Sequence, residues 1–200
     1  MKHFYKTLPG LCTFEDYYAW VAGKAKETLA LKQEGPWYGV EIGVFGGQSA
    51  AFLATELINL EVDAKLDLVD EFTHPQAQIE DVVARLAPVR QVVGDIHQGC
   101  SWEMADRYRD RSLDFCFIDT EHTLETTRKE IAAFLPKMKI GGIMGGHDFS
   151  IHFTGVIRAV TEAFQHYEIW RGRNDHNDPF LDGKYMPCWS AVVTHSSGAR

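Results

Sequence analysis

The chain has 200 residues, 45% hydrophobic and 24% charged, which is enough for one sizeable core and ordinary for a water-soluble globular protein. A net charge of −8 with no basic run excludes a surface built to grip a nucleic-acid backbone, since that draws on clustered Lys and Arg. No apolar run reaches membrane-span length, MKHFYKTLPG lacks the apolar centre of a signal peptide, and the four cysteines form no C-x-x-C pair. A cytoplasmic protein with no membrane span, disulfide framework or zinc site is expected.

No composition break suggests a second domain, so residues 1–200 read as one unit: a helical segment over 1–36, then a core over 37–194. Thr13 is placed to cap the first helix, with Glu15 and Asp16 in its positive first turn. Tyr17, Trp20, Val21, Lys24, Thr28 and Leu31 fall on one helical face, a stripe that serves either as core or as a lid. Gly35-Pro36 stops it.

Tyr38 to Phe52, YGVEIGVFGGQSAAF, reads as a strand, a glycine turn and a helix. Glycine has no Cβ and accepts positive φ, so a ligand can lie against bare backbone there. Glu41 just before the turn would repel a pyrophosphate, which argues against a dinucleotide and for a cationic amine. Ala64 to Asp70 alternates as a second strand ending in the acid pair Asp70-Glu71. A helix over 76–86 follows, then a short third strand over 89–93, and a short helix over 101–107. Leu113 to Ile118 is an apolar fourth strand ending at Asp119, with Glu121 and His122 just beyond. A helix carrying Ile131, Phe134 and Leu135 leads to Gly141-Gly142 and a fifth strand over 143–146 that ends in His147-Asp148. Parallel strands deliver their ligand-binding groups at their carboxyl ends, so these charged residues gather at one sheet edge. A helix over 155–165 and apolar runs over 167–170 and 189–193 complete the chain. The polar stretch 171–187 between those runs reads as a surface loop, whose Asp175, His176 and Asp178 suit a solvated turn better than a metal site. The last six residues read as frayed.

E-x-G-x-x-x-G with a hydroxyl two residues on resembles the first motif of class I S-adenosylmethionine (SAM) methyltransferases. F-I-D-x-x-H at Phe117 to His122, G-G-x-x-x-x-H-D ending at Asp148, and G-V-x-R-A-V at Gly155 to Val160 are similar to a small-molecule group near the macrocin O-methyltransferase and cephalosporin hydroxylase types. The likeness covers about residues 37–164. Thr120 stands where glycine is usual, Leu124 where tyrosine is common and Ile140 where proline normally precedes the two glycines.

This resemblance implies a Rossmann-like α/β fold, with a mostly parallel seven-stranded sheet, helices on both faces and an antiparallel last strand. It implies SAM held by Glu41, Gly43, Gly47, Ser49 and Asp119, with Asp70 on both ribose hydroxyls, Asp95 on the adenine amino group and Ile96 over the ring. The expected reaction is methyl transfer to a small-molecule hydroxyl. Its proton is removed either by His122, oriented by Asp119 or Asp148 and with His147 as a further catalytic candidate, or through a divalent cation, Mg2+ by preference, on Asp119 and Asp148. Catechol-type methyltransferases place an Asp-Asn pair after the fifth strand, and Phe149 departs from it. A homodimer is compatible with the family type. A SAM-binding protein without transferase activity and, more remotely, an NAD-type oxidoreductase remain the competing readings.

Overall fold

The computed structural model describes residues 1–10, 12–31, 35–171, 186–195 and 197. Its frame is a seven-stranded sheet built from β1 (Trp37–Ile42), β2 (Ala64–Asp70), β3 (Val93–Gln98), β4 (Leu113–Ile118), β5 (Met138–Gly146), β6 (Glu168–Trp170) and β7 (Cys188–Val192). Their order across the sheet is β3-β2-β1-β4-β5-β7-β6. The first five pair in parallel, and β7 runs antiparallel to both β5 and β6. This is the Rossmann-like class I methyltransferase arrangement the motifs imply.

The apolar runs are near-continuous because the sheet is covered on both faces. On one face Leu66, Leu68, Phe115 and Phe117 pack with α1 (Glu15–Leu31) and α2 (Gln48–Asn59). On the other, Val40, Ile42, Cys116 and Ile118 pack with α5 (Leu124–Phe134) and α6 (Thr154–Ala163). Each fully buried Leu, Ile or Phe contributes about 1.5–3 kcal/mol by leaving water, so these two layers hold the strand ends in place.

Several boundaries and one helix face differ from the sequence reading, among them a fifth strand that begins at Met138 rather than Ile143. The third strand covers 93–98 rather than 89–93, because Ala87–Val89 forms a one-turn 3₁₀ helix opened by Pro88. The polar end of β3, His97-Gln98, is tolerated because β3 lies at the edge of the sheet. The third helix, α3 (Ile79–Arg85), starts three residues late, since 74–77 close a turn through Ala77 N–H to the His74 carbonyl. On α1 the buried face is Tyr17, Tyr18, Val21, Ala22 and Ala25, while Leu31 is 87% exposed. The loop expected over 171–187 falls mostly on residues outside those described, as does most of the expected frayed end. No helix among the described residues is long and apolar enough to cross a membrane.

Candidate active site

The strand order reverses between β1 and β4, so their connections leave in opposite directions and a crevice opens at their carboxyl ends. Gly43, at φ +84°, stands at its floor. A Cβ there would lie 1.8 Å from the Asp119 carbonyl oxygen, so glycine alone lets the two strand ends approach this closely. Gly47 caps α2 in the left-handed region. Gly46 serves a different neighbour, because a Cβ would come 2.2 Å from the Pro9 carbonyl oxygen. The N-terminal segment crosses the turn here and is tied to it by Gln48, which accepts from Cys12 N–H at 2.6 Å and donates to the Leu8 carbonyl at 3.0 Å.

A cavity of about 900 Å³ opens above the crevice. Of the expected cofactor residues, Gly43, Ser49, Asp70 and Asp119 line it, together with His122, His147 and Asp148. Glu41, Gly47, Asp95 and Ile96 do not. A smaller cavity of about 520 Å³, lined by Ile131, Leu135 and Met138 among others, lies between α5, α6 and the start of β5.

Glu41 lies beneath the turn, fully buried, where it was expected to grip an ammonium directly. Its carboxyl accepts from the Ser49 hydroxyl and, at 3.0 Å, from the Tyr18 hydroxyl delivered by α1. Burial pushes its pKa up to about 8 against the lowering effect of those two hydroxyls. Burial therefore biases this carboxyl toward its neutral form. Asp119, beside Gly43, is the carboxylate that lines the cavity at this point.

Asp70 does line the cavity, but it also binds its own loops. One oxygen accepts from Val44 and Phe45 N–H at 2.7 and 2.9 Å, the other from Phe72 N–H at 2.7 Å. Only the second oxygen keeps a spare acceptor position, enough for one hydroxyl rather than two. Asp95 stands on the flank of β3, 64% exposed at its side chain, paired with Lys65 at 2.8 Å. Ile96 packs into the core beside α2 and α3. The turn that reaches the cavity after β3 carries Gly99, Ser101 and Trp102, the last two in the short helix α4 (Ser101–Met104).

Asp119, His122, His147 and Asp148 form one interlocked group. His122 Nε2 lies 2.8 Å from Asp148 and 3.2 Å from Asp119, and His147 Nδ1 lies 3.2 Å from Asp148 and 3.7 Å from Asp119. Burial alone would raise the carboxyls and lower the imidazoles, but their mutual hydrogen bonds prevail. Both acids are held below their ordinary range, while His122 rises to about 9 and His147 to about 10. Phe153 packs on the His122 ring at 4.8 Å and Phe14 on the His147 ring at 4.9 Å, fixing both. His122 and Asp148 also adopt left-handed backbone, φ 61° and 58°, which costs about 1–2 kcal/mol per residue and persists only where surroundings enforce it.

Residue-type reasoning missed Glu130, a fully buried carboxylate that lines the cavity from α5. Burial raises its pKa to about 7 despite hydrogen bonds from Ser101 and Thr120. Its signal was the helical phase: Glu130 precedes Phe134 by four residues and so lies on the buried stripe.

The fold is shared with solved structures of low sequence identity. An rRNA methylase from Streptococcus thermophilus superposes with a TM-score of 0.62 at 15% identity, covering 88% of this chain and 95% of that one. A SAM-dependent O-methyltransferase from Thermotoga maritima gives 0.61 at 14%, covering 92% and 68%. An O-methyltransferase from Bacillus cereus, solved with S-adenosylhomocysteine, gives 0.59 at 16%, covering 92% of each. No curated protein matches the sequence. Residues 40–149, more than half of the chain and the span holding both the glycine turn and the Asp/His group, match the family model described as a methyltransferase domain, and the protein therefore belongs to the class I SAM-dependent methyltransferases.

Proposed function

We propose that the enzyme transfers the SAM methyl group to a hydroxyl oxygen of a small-molecule acceptor. The observation carrying this reading is the Asp119, His122, His147 and Asp148 group, which sits in the cavity wall directly beside the glycine turn. The amino-acid end of SAM lies against Gly43 and Ser49 with its ammonium at Asp119, and Glu41 acts by holding Ser49 in place. Asp70 takes one ribose hydroxyl, and Glu71, which also lines the cavity, is placed near the other.

The acceptor oxygen attacks the methyl carbon as the carbon–sulfur bond breaks, leaving S-adenosylhomocysteine. The displaced hydroxyl proton goes to His122. Its Nε2 faces both carboxylates, which hold a proton there and leave Nδ1 as the basic nitrogen. The two carboxylates favour the doubly protonated form of His122. Positive charge brought to Asp119 by an ammonium opposes the imidazolium and draws its pKa back toward the working range.

The same residues fit a divalent cation, since Asp119, His122 and Asp148 each offer one ligand atom within 4.8 Å of the others. Two carboxylate oxygens suit Mg2+, whereas an imidazole nitrogen shifts preference toward Mn2+, Fe2+ or Zn2+. Such an ion would lower the pKa of the acceptor hydroxyl. The histidine reading is favoured because His122 Nε2 lies within hydrogen-bond distance of both carboxylates, which orients the ring as a base. The motif likeness to the macrocin and cephalosporin group supports a small acceptor, and the net charge of −8 disfavours an RNA backbone.

Calorimetry tests the cofactor assignment: saturable binding of SAM with no heat from NAD is expected, and NAD binding with silent SAM would overturn it. Turnover that survives a chelator supports the histidine, whereas loss of turnover restored by a divalent ion would assign the deprotonation to metal.

A further inference from the structure

The smaller cavity, about 520 Å³, takes no part in the chemistry above and falls within the size range of small-molecule pockets. Met138, in its wall, opens β5, and His147 follows the other end of that strand, roughly 25–30 Å away at the rise of an extended chain. An occupant here would not touch a cofactor at the glycine turn. The lining is mostly apolar: Ile131, Met138, Ala159 and Val193 are buried, while Ile140, which stands where proline is usual in the resembling group, is 41% exposed.

The charges around this hollow run against the rest of the molecule. On a chain of net charge −8 it is lined by Arg111, Arg128 and a single carboxylate, Glu162. Both oxygens of Glu162 are engaged, since Arg128 Nε donates to Oε2 at 2.7 Å and Arg158 Nε to Oε1 at 2.9 Å. Asp110, next to Arg111 in the chain, pairs instead with Lys137 at 2.8 Å. Among the described residues Arg111 has no carboxylate partner, and its backbone N–H is anchored on the Pro136 carbonyl at 3.0 Å. A planar guanidinium meets a carboxylate through two parallel hydrogen bonds, so an apolar hollow with one uncommitted arginine matches an apolar molecule that carries a carboxylate. One free charge balances a monoanion and leaves a doubly charged phosphate half unmatched.

We propose that the cavity between α5, α6 and the start of β5 is a second ligand site, which binds an apolar carboxylate of the alkanoate class with Arg111 on its head group. The site is independent of the SAM reading. Ile140 becomes part of its apolar wall rather than a neutral change before a glycine turn.

Calorimetry with decanoate and decylamine, which share a chain length and differ in the sign of their charge, tests this. The wild-type protein should bind decanoate saturably and at least about ten-fold more tightly than decylamine. Non-specific association with an acidic protein would favour the amine. Arg111→Ala should weaken decanoate about five-fold or more and leave decylamine unmoved. Ala163→Trp, which fills the cavity from α6, should abolish decanoate binding, and Ala132→Trp, which fills it from α5, serves if melting shows that the first does not fold. No saturable decanoate binding, equal affinity for the amine, or unchanged affinity in the folded variants would overturn the proposal. Displacement of decanoate by S-adenosylhomocysteine would place it in the larger cavity and overturn the proposal while leaving the SAM reading intact. Decanoate bound as expected by a protein that does not bind S-adenosylhomocysteine would overturn the SAM reading alone.

Discussion

Among the described residues, two groups of aspartates and histidines gather on this sheet, built from the same residue types and used in opposite ways. Asp67, Asp95 and His97 lie on the β2 and β3 flank. Asp67 is 1% exposed at its side chain, accepts from the Tyr38 hydroxyl at 2.5 Å and from Asp95 N–H at 2.8 Å, and has Lys65 Nζ at 3.3 Å. Its nearest counter-charge is Lys65, kept protonated by Asp95 and Asp67, while His97 Nε2 stands farther off at 3.9 Å. Asp119 and Asp148, in contrast, are met by His122 and His147, whose protons can leave, and the backbone at His122 and Asp148 is held in the left-handed region. A resident ammonium makes such a cluster a structural tie, while an imidazole leaves it open to proton transfer.

The largest effect that sharpens this contrast concerns turnover. His122→Ala should lower kcat by about 10²–10⁴-fold, and His97→Ala should leave it within about two-fold, by steady-state assay with a working acceptor. Equal losses would erase the distinction between the two groups. Next in size, Asp67→Ala should cost about 2–3 kcal/mol of stability in denaturant melts, because it strands the Tyr38 hydroxyl and the Asp95 N–H. The affinity for S-adenosylhomocysteine should not move.

Glu41 yields a pH signature. Its folded-state pKa of about 8 lies above the usual 4.5, so the native protein keeps a proton that the unfolded chain has lost. That contribution is complete below pH 4.5 and declines as pH rises through 8. Glu41→Gln should flatten the fall of melting temperature between those limits, and a parallel slope in the variant would show that Glu41 is not the group responsible. Smallest of all, Asp95→Ala should change stability by no more than about 0.5 kcal/mol, since its ion pair with Lys65 is largely exposed. The affinity for S-adenosylhomocysteine should likewise be unaltered. Weaker binding would return Asp95 to the role first expected of it.

What was legible in the sequence was local. Gly43, Gly47 and the strand ends at Asp119 and His147-Asp148 announce themselves within short windows, because a tight turn and a strand exit are determined by neighbours in the chain. The fate of Glu41 depended on Tyr18, 23 residues away on another element, and no window around Glu41 contains the hydroxyl that buries it. The third strand was placed too early, so that Asp95 and Ile96 fall within it rather than after it, because Val89, Val92 and Val93 are all buried and apolar character alone cannot say which of them turn and which pair. Glu130 went unnoticed because a glutamate in a helix is usually solvated, and its burial follows from where α5 docks against α4.

A crystal structure with S-adenosylhomocysteine bound would decide whether the cofactor lies between the glycine turn and the Asp/His group. The expected result places the ligand amine at Asp119 and its main chain against Gly43, with the sulfur facing His122 and Asp148. A ligand seated in the cavity between α5 and α6, or one whose sulfur lies out of reach of His122, would contradict it.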